Sequence, residues 1–310
     1  MILNRPKIVK LPSYLSASSL KMIENMPSTF FIDRLSGEER LPEEQGLPAS
    51  VGSAFDYFIK IYLAQKMEWH GTVGGKLENM RNTLYKGMYS ETERGRFYGK
   101  SVSEILWALN VTNPENKMEA AGAGKLIFEA YKKTPMSKPD AYVDIEIHSK
   151  YTLKHNGTEV PMFGKGDAIV KAPGGIAPKD WKCSYGIVSP TKGYKTVWRN
   201  GVNSSPHKDY KKDTPMELIN PDWATQLCIY NWMMGNQIGN VSYGYIDQAF
   251  FKNNEVCIAE YEGVITPDFQ HRVADRIVSA WNSLRDGSFL RRLAPDHDLV
   301  YVDKMNERWW

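Results

Sequence analysis

Cysteine is scarce in this chain. Of 310 residues only Cys183, Cys228 and Cys257 carry a thiol, and they are far apart with no Cys-x-x-Cys. That spacing excludes the usual zinc and iron–sulfur arrangements, so no iron–sulfur cluster is expected, and an odd, sparse count fits a reducing cytoplasm. Long apolar runs are also missing. None reaches the roughly 18 residues that a spanning helix needs. The first residues, with Asn4, Arg5, Lys7 and Lys10, lack the apolar stretch of a secretory signal. No membrane association is expected. An excess of one charge is absent as well: the formal net charge is +3, so a nucleic-acid partner would have to meet a local basic patch. There is no internal repeat and no low-complexity segment. The run Ala121, Gly122, Ala123, Gly124, Lys125 has the flavour of a phosphate loop, but Leu126 stands where a Ser or Thr must follow the lysine. No nucleotide cofactor is expected.

What is present suffices for a large core. Hydrophobic residues make up 42% and charged residues 24%, which suits a globular chain of one large or two small domains. Helical periodicity is expected over 16–34, with Ser16 or Ser18 as N-cap and Pro27 near the end, and over 51–67, where Ala54, Phe55, Phe58, Ile59 and Tyr62 share a face. Residues 76–133 read as a helical insertion. From Tyr142 the period becomes two, with Asn156 and Gly157 as a hairpin turn, a return strand over 160–170 and a third strand over 179–185. Residues 186–220 read as an inserted loop near the active site. Asn220, Pro221 and Gly235 bracket a helix over 221–234. A second hairpin is expected over 241–251 and 256–264. A last helix carries Val273, Ile277, Trp281 and Leu284 on one face, and 287–310 is an irregular tail. The expected fold class is α/β: a mixed central sheet flanked by helices, with a helical insertion, in one domain spanning 1–310.

The chemistry concentrates between Phe163 and Tyr230. Asp180 and Lys182 are two apart on a strand and share its face, while Asp167 sits on the neighbouring strand and can come opposite them. Two carboxylates converging on one point repel and need a cation. Oxygen donors without Cys or paired His suit Mg²⁺ or Mn²⁺. Such an ion lowers the pKa of a bound water and neutralises charge on a phosphate, while Lys182 can orient or deprotonate the water or hold a phosphate oxygen. Gln226 and Tyr230, four apart on a helix, can brace the lysine or touch a DNA backbone. Each of these residues alone is commonplace; the combination in this order is what points to phosphodiester hydrolysis.

At this point the chain resembles the PD-(D/E)XK nuclease superfamily, most closely its RecB-like exonuclease branch. Gly166 with Asp167, Asp180-Trp181-Lys182, and Gln226 with Tyr230 are similar to the second, third and fourth motifs of that branch. Leu15 to Leu20, followed by Met26-Pro27 and Phe30-Phe31, resembles its N-terminal motif. Gly52 to Asp56 resembles its Gly-x-x-x-His motif. The thirteen residues from Asp167 to Asp180 suit the family hairpin. The resemblance implies a restriction-endonuclease-like core in αβββαβ order and an Mg²⁺- or Mn²⁺-dependent DNA exonuclease. Its metal would be held by Asp167, Asp180 and the Trp181 carbonyl, with Asp56 as a further ligand. It also implies action on single- or double-stranded DNA ends in recombination, repair or phage replication, in a bacterial or phage-infected host cytoplasm. Met26, where iron–sulfur members have Cys, implies a cluster-free member.

A strand-annealing recombinase or a helicase is a partner suggested by analogy alone. Candidate DNA contacts are Lys192, Lys195, Arg199, Lys208, Lys211 and Lys212, interleaved with Tyr194, Trp198 and Tyr210. Ser16 and Ser18 are candidates for a phosphate contact. Arg81, Lys86, Arg94, Arg96 and Lys100 form a second candidate surface. The alternative reading is a non-catalytic DNA-binding or assembly protein that keeps the nuclease fold, motivated by Asp56 in place of His and by the low net charge.

Overall fold

The structure, a computed structural model, describes residues 11–36, 46–69, 114–187, 190, 192–203, 206–207, 210–252 and 255–293. It is an α/β protein whose mixed sheet is flanked by helices. None of the described helices is long and apolar enough to cross a membrane. The described elements group into two compact units, one of residues 1–43, 150–164 and 268–310, the other of residues 44–149 and 165–267.

In the first unit, Ser16 caps α1 (Ala17–Asn25) by accepting a bond from the Ser19 amide at 3.1 Å. The expected single helix over 16–34 is two helices. Met26, at φ −139°, breaks the chain and Pro27 takes the first position of α2 (Pro27–Arg34), where its missing N–H costs nothing. Leu15 pairs with Met162 as an isolated bridge, and Leu15, Leu20, Ile23, Phe30 and Val160 are buried. Asn156 (φ 48°) and Gly157 (φ 74°) make the tight turn, both in the positive-φ region that asparagine tolerates and glycine, without a Cβ, enters freely.

The second unit holds the sheet, in the order β1-β2-β3-β6-β7-β4-β5. Its strands are β1 (Tyr142–His155), β2 (Thr158–Ala172), β3 (Gly175–Ile187), β4 (Thr196–Arg199), β5 (Val202–Asn203), β6 (Ser242–Lys252) and β7 (Glu255–Ile265), with the turn-side ends of β1 and β2 belonging to the first unit. β2 and β3 are antiparallel, and β3 and β6 are parallel, with Asp180 beside Ile246 and Trp181 beside Asp247. A parallel pair needs a crossover. Part of it is α5 (Met216–Ile219) and α6 (Pro221–Met233), the latter started by Asn220, whose side chain accepts from the Asp222 and Trp223 amides.

Residues 186–220 were expected to be an inserted loop beside the active site, and this needs correction. β4 pairs with β7 and β5 with β4, so Thr196–Arg199 and Val202–Asn203 of this segment extend the sheet. β4 lies three strand spacings from β3, about 14 Å away. The period-two signal was too short to read: only Thr196, Val197, Trp198 and Arg199 form β4.

One face of this sheet is covered by α3 (Leu47–Trp69) and α4 (Pro114–Lys132). The stripe Val51, Phe55, Ile59, Leu63 on α3 packs with Ala120, Ile127 and Tyr131 of α4 and with Trp181 of the sheet. Residues 114–132, expected to belong to a helical insertion, therefore form a core helix; residues 76–113 of that expected insertion lie outside the described residues. Gly124 shows why the glycine-rich run is there. A Cβ on it would sit 2.6 Å from Ala54 Cβ and 2.8 Å from the Phe55 amide nitrogen. The run is a helix contact, and no phosphate loop forms. After α7 (Pro267–Arg285), Gly287 at φ 75° ends the helix and α8 (Ser288–Leu293) follows, so the start of the expected tail is helical.

Gly124→Ala is expected to lower stability by about 1–3 kcal/mol, because the α3 backbone cannot yield without repacking the core. The check is the urea midpoint, with an unchanged denaturant slope.

Candidate active site

The recorded ladder between β2 and β3 runs from Ala172 with Gly175 to Ala168 with Lys179. Asp167 is the next residue of β2, just beyond that ladder, and Asp180 is the next of β3. The two acids thus meet at a fork in the sheet. Asp167 Oδ2 accepts the Trp181 amide at 3.0 Å, which ties the acid of one strand to the backbone of the other. The Asp180 side chain is only 4% exposed, and its Oδ2 lies 2.5 Å from the Lys182 ammonium. That contact is an ion pair without hydrogen-bond geometry, for Oδ2 has no hydrogen-bond partner among the described residues.

Helix α6 closes the fork from the face opposite α3. Gln226 uses its amide completely: Oε1 accepts from Lys182 at 2.7 Å, while Nε2 donates to Asp180 Oδ1 at 3.0 Å and to the Tyr230 hydroxyl at 2.7 Å. Only this amide orientation puts the acceptor on the ammonium and the donors on the carboxylate and phenol. The Tyr230 ring lies alongside Gly166, where a Cβ would meet its Cδ2 at 3.6 Å, an ordinary packing distance. The structure therefore brings together Asp167, Asp180, Lys182, Gln226 and Tyr230.

Sequence reasoning missed Lys60. It rises from α3, almost fully buried, and its ammonium reaches Asp56 Oδ2 at 2.7 Å and Asp167 Oδ1 at 3.2 Å. Asp56 thus joins the cluster through Lys60. The only available signal was the four-residue spacing of Asp56 and Lys60 on a helix, which is common. Also unread was a buried network beneath β3. Lys179 and the Tyr131 hydroxyl each reach Asp247 Oδ2 at 2.5 Å, Tyr131 accepts from the Trp181 indole at 3.1 Å, and Tyr142 lies 2.9 Å from Tyr131. Lys179 and Trp181 flank Asp180 in sequence, so this network clamps the strand on both sides of the acid.

The electrostatics follow from burial. Removal from water, and then the neighbouring Asp167, push the Asp180 carboxyl up to about 7 against the opposing pull of Lys182. Burial and the charge of Asp180 hold the Tyr230 phenol well above its usual value, so it stays protonated and keeps its O–H as a donor. For Lys179 burial opposes the charge, but Asp247 outweighs it and the ammonium persists.

The donors fit a hard divalent cation. Asp180 offers a buried oxygen whose neighbour is the Lys182 ammonium, burial and then Asp167 raise its pKa, and Asp167 and the Trp181 carbonyl add hard oxygens. Among the described residues no three His, Cys, Asp or Glu side chains form a metal-holding set. Two carboxylates with retained waters are the mode that Mg²⁺ favours.

The expected DNA contacts are placed differently from one another. Lys195 is held by Glu260 at 3.0 Å and Glu262 at 3.3 Å, and so is committed to an internal pairing. Lys192, Arg199, Lys211 and Lys212 are exposed. Arg199 pairs along the sheet with Cys257, across β7 and β6 from the level of Ser184. Ser16 and Ser18 lie in the first unit, their hydroxyls 2.9 Å apart at the start of α1. Lys208, Arg81, Lys86, Arg94, Arg96 and Lys100 lie outside the described residues.

No protein-family model and no curated protein matches the chain. A solved structure designated SSO0001 aligns over 72% of this chain and 85% of its own, at 16% identity and a TM-score of 0.28.

With divalent ions chelated, the native protein holds the Asp180 proton to a higher pH than the unfolded chain does. Native protein then binds more protons than unfolded protein between about pH 4 and pH 7, so stability contributed by this group falls as pH rises through that window and levels off above it. Melting temperatures in EDTA from pH 4 to 8 should show this decline, and Asp180→Asn should flatten it.

Proposed function

We propose that this chain is an Mg²⁺- or Mn²⁺-dependent deoxyribonuclease that degrades DNA from its ends, a cluster-free member of the RecB-like branch of the PD-(D/E)XK superfamily. One observation carries the reading: Asp167, Asp180, Lys182 and Gln226 meet in a single connected cluster at a strand fork. With α4 set between α3 and β1, and β4, β5 and α5 set between β3 and α6, the succession α3, β1, β2, β3, α6, β6 supports a restriction-endonuclease-like core.

Each side chain has a part. Asp167 and Asp180, with the Trp181 carbonyl, would hold the divalent ion, which when bound supplies charge neutralisation at the phosphate and a water of lowered pKa. Lys182 aims its ammonium at the attacking water or at a phosphate oxygen. Gln226 fixes that ammonium and the Asp180 carboxylate in one geometry, so the positions of cation and acid are set together. Tyr230 supplies a neutral O–H able to donate to a phosphate oxygen. The exposed Lys192, Arg199, Lys211 and Lys212 would guide the strand by phosphate charge. Unwinding would fall to a helicase, and strand pairing to an annealing recombinase.

The test is digestion of end-labelled linear and covalently closed circular DNA, single- and double-stranded, with Mg²⁺ or Mn²⁺. Linear substrate should be lost and circles spared, with EDTA and Asp180→Asn abolishing the reaction. Lys182→Ala should slow it by roughly 10²–10⁴-fold, and Gln226→Ala by about 10–100-fold as an orienting partner. Cutting of circles would make it an endonuclease. Absence of any metal-dependent cleavage, with DNA binding kept by Asp180→Asn, would favour the non-catalytic assembly protein.

A further inference from the structure

Lys60 is the most deeply buried cation of the cluster, with a side chain only 1% exposed. A charge so far from water persists only when it is well paired. Asp56, one helical turn earlier, provides one partner at 2.7 Å, and Asp167 Oδ1 the second at 3.2 Å. The ammonium also lies 6.0 Å from the centre of the Trp181 ring. The remaining Asp167 oxygen accepts the Trp181 amide.

The acids of the site therefore divide. Asp56 and Asp167 Oδ1 face a fixed positive charge that the chain itself supplies. Asp180 Oδ2 is the buried oxygen left without a hydrogen bond. A divalent ion placed beside the Lys60 ammonium would meet strong repulsion at such distances in a partly buried site. The fork also holds an ammonium, that of Lys182 at 2.5 Å from Asp180 Oδ2, but its side chain is 29% exposed and has room to turn aside for an ion, whereas Lys60 is sealed in.

We infer that Lys60 is a positioning residue whose ammonium fills the second cation position of the acidic cluster, so that the site takes a single divalent ion and Asp56 serves Lys60 instead of the metal. This rests on the nuclease reading above. It departs from the ligand set implied by resemblance, in which Asp56 binds metal directly. In sites with two ions, the second offsets charge on the far side of the phosphate. Here a tethered ammonium offsets the charge of Asp56 and Asp167 at fixed stoichiometry, independent of metal concentration.

The experiment is calorimetric titration of Mn²⁺ into the purified full chain, paired with melting curves in EDTA and in Mn²⁺. Wild type should bind one Mn²⁺ per chain, and Asp180→Asn should bind none. Asp56→Asn should keep the single site with affinity within about fivefold, because a part-exposed charge that does not touch the ion acts weakly. Lys60→Met should take up a second Mn²⁺ or bind the first at least about tenfold more tightly, since a nearby positive charge is gone. Its melting temperature, lowered in EDTA by the uncompensated acids, should recover with Mn²⁺. Lys60→Arg should behave as wild type in stoichiometry. Two ions bound by wild type, loss of binding in Asp56→Asn as complete as in Asp180→Asn, or a Lys60→Met protein with unaltered stoichiometry and affinity would each overturn the assignment of Lys60 while leaving a metal site. Absence of any Mn²⁺ binding by wild type would remove the nuclease reading itself, and this inference with it. If Lys60→Met fails to fold, the stoichiometry of wild type and the affinity of Asp56→Asn decide.

Discussion

Two carboxylates held together away from water dominate this structure. Asp167 and Asp180 approach at the mouth of a strand fork, and burial first, then their mutual repulsion, raises the pKa of Asp180. Everything nearby answers that repulsion. Lys182 and Lys60 bring positive charge from a strand and from a helix, the Trp181 amide brings a partial charge, and Gln226 converts what would be loose attraction into fixed geometry. Without such partners, buried acids of this kind would simply hold their protons.

The fork is held from behind. The alternation of a strand sends Asp180 and Lys182 to one face and Lys179 and Trp181 to the other. On that other face Asp247 gathers Lys179 and Tyr131, and Tyr131 in turn receives the Trp181 indole. A polar network within an apolar layer is worthwhile only when nearly every group is satisfied, and then it specifies one arrangement. Here the arrangement it specifies is the pose of β3, and through β3 the pose of the acid between its two anchored residues. Asp247 Oδ1 is the exception, buried with no hydrogen-bond partner among the described residues.

Much of this was legible in the residues. The hairpin turn at Asn156 and Gly157, the cap and stop of α6 at Asn220 and Gly235, and the face shared by Asp180 and Lys182 depend on local geometry that a sequence carries openly. What escaped depended on distant partners. Lys60 is an unremarkable helical lysine until β2 is folded against α3. Asp247 reads as a stray acid in an apolar strand until Lys179 and Tyr131 arrive. β4 is too short to announce itself, and its pairing with β7 is what makes it a strand. Gly124 suggested a phosphate loop because glycine is used both for tight turns and for close helix packing, and sequence does not separate the two. Pro27 suggested a helix end when it marks a helix start, since Met26 breaks the backbone just before it.

The parallel pairing of β3 with β6 has a consequence for how the molecule comes into being. Lys60 and Asp167 are separated by 107 positions, and Lys182 meets a glutamine 44 positions later. β6 follows later still and must close a long excursion before it can lie beside β3. Contacts this remote form slowly, because the chain surrenders its freedom before it gains the reward. A ribosome that has released the polypeptide only as far as Asn200 has made both acids, Asp167 and Asp180, but not the helix Pro221–Met233 that orients them. The cluster is consequently a late product of synthesis, and an incomplete copy of this protein carries its charges without its site.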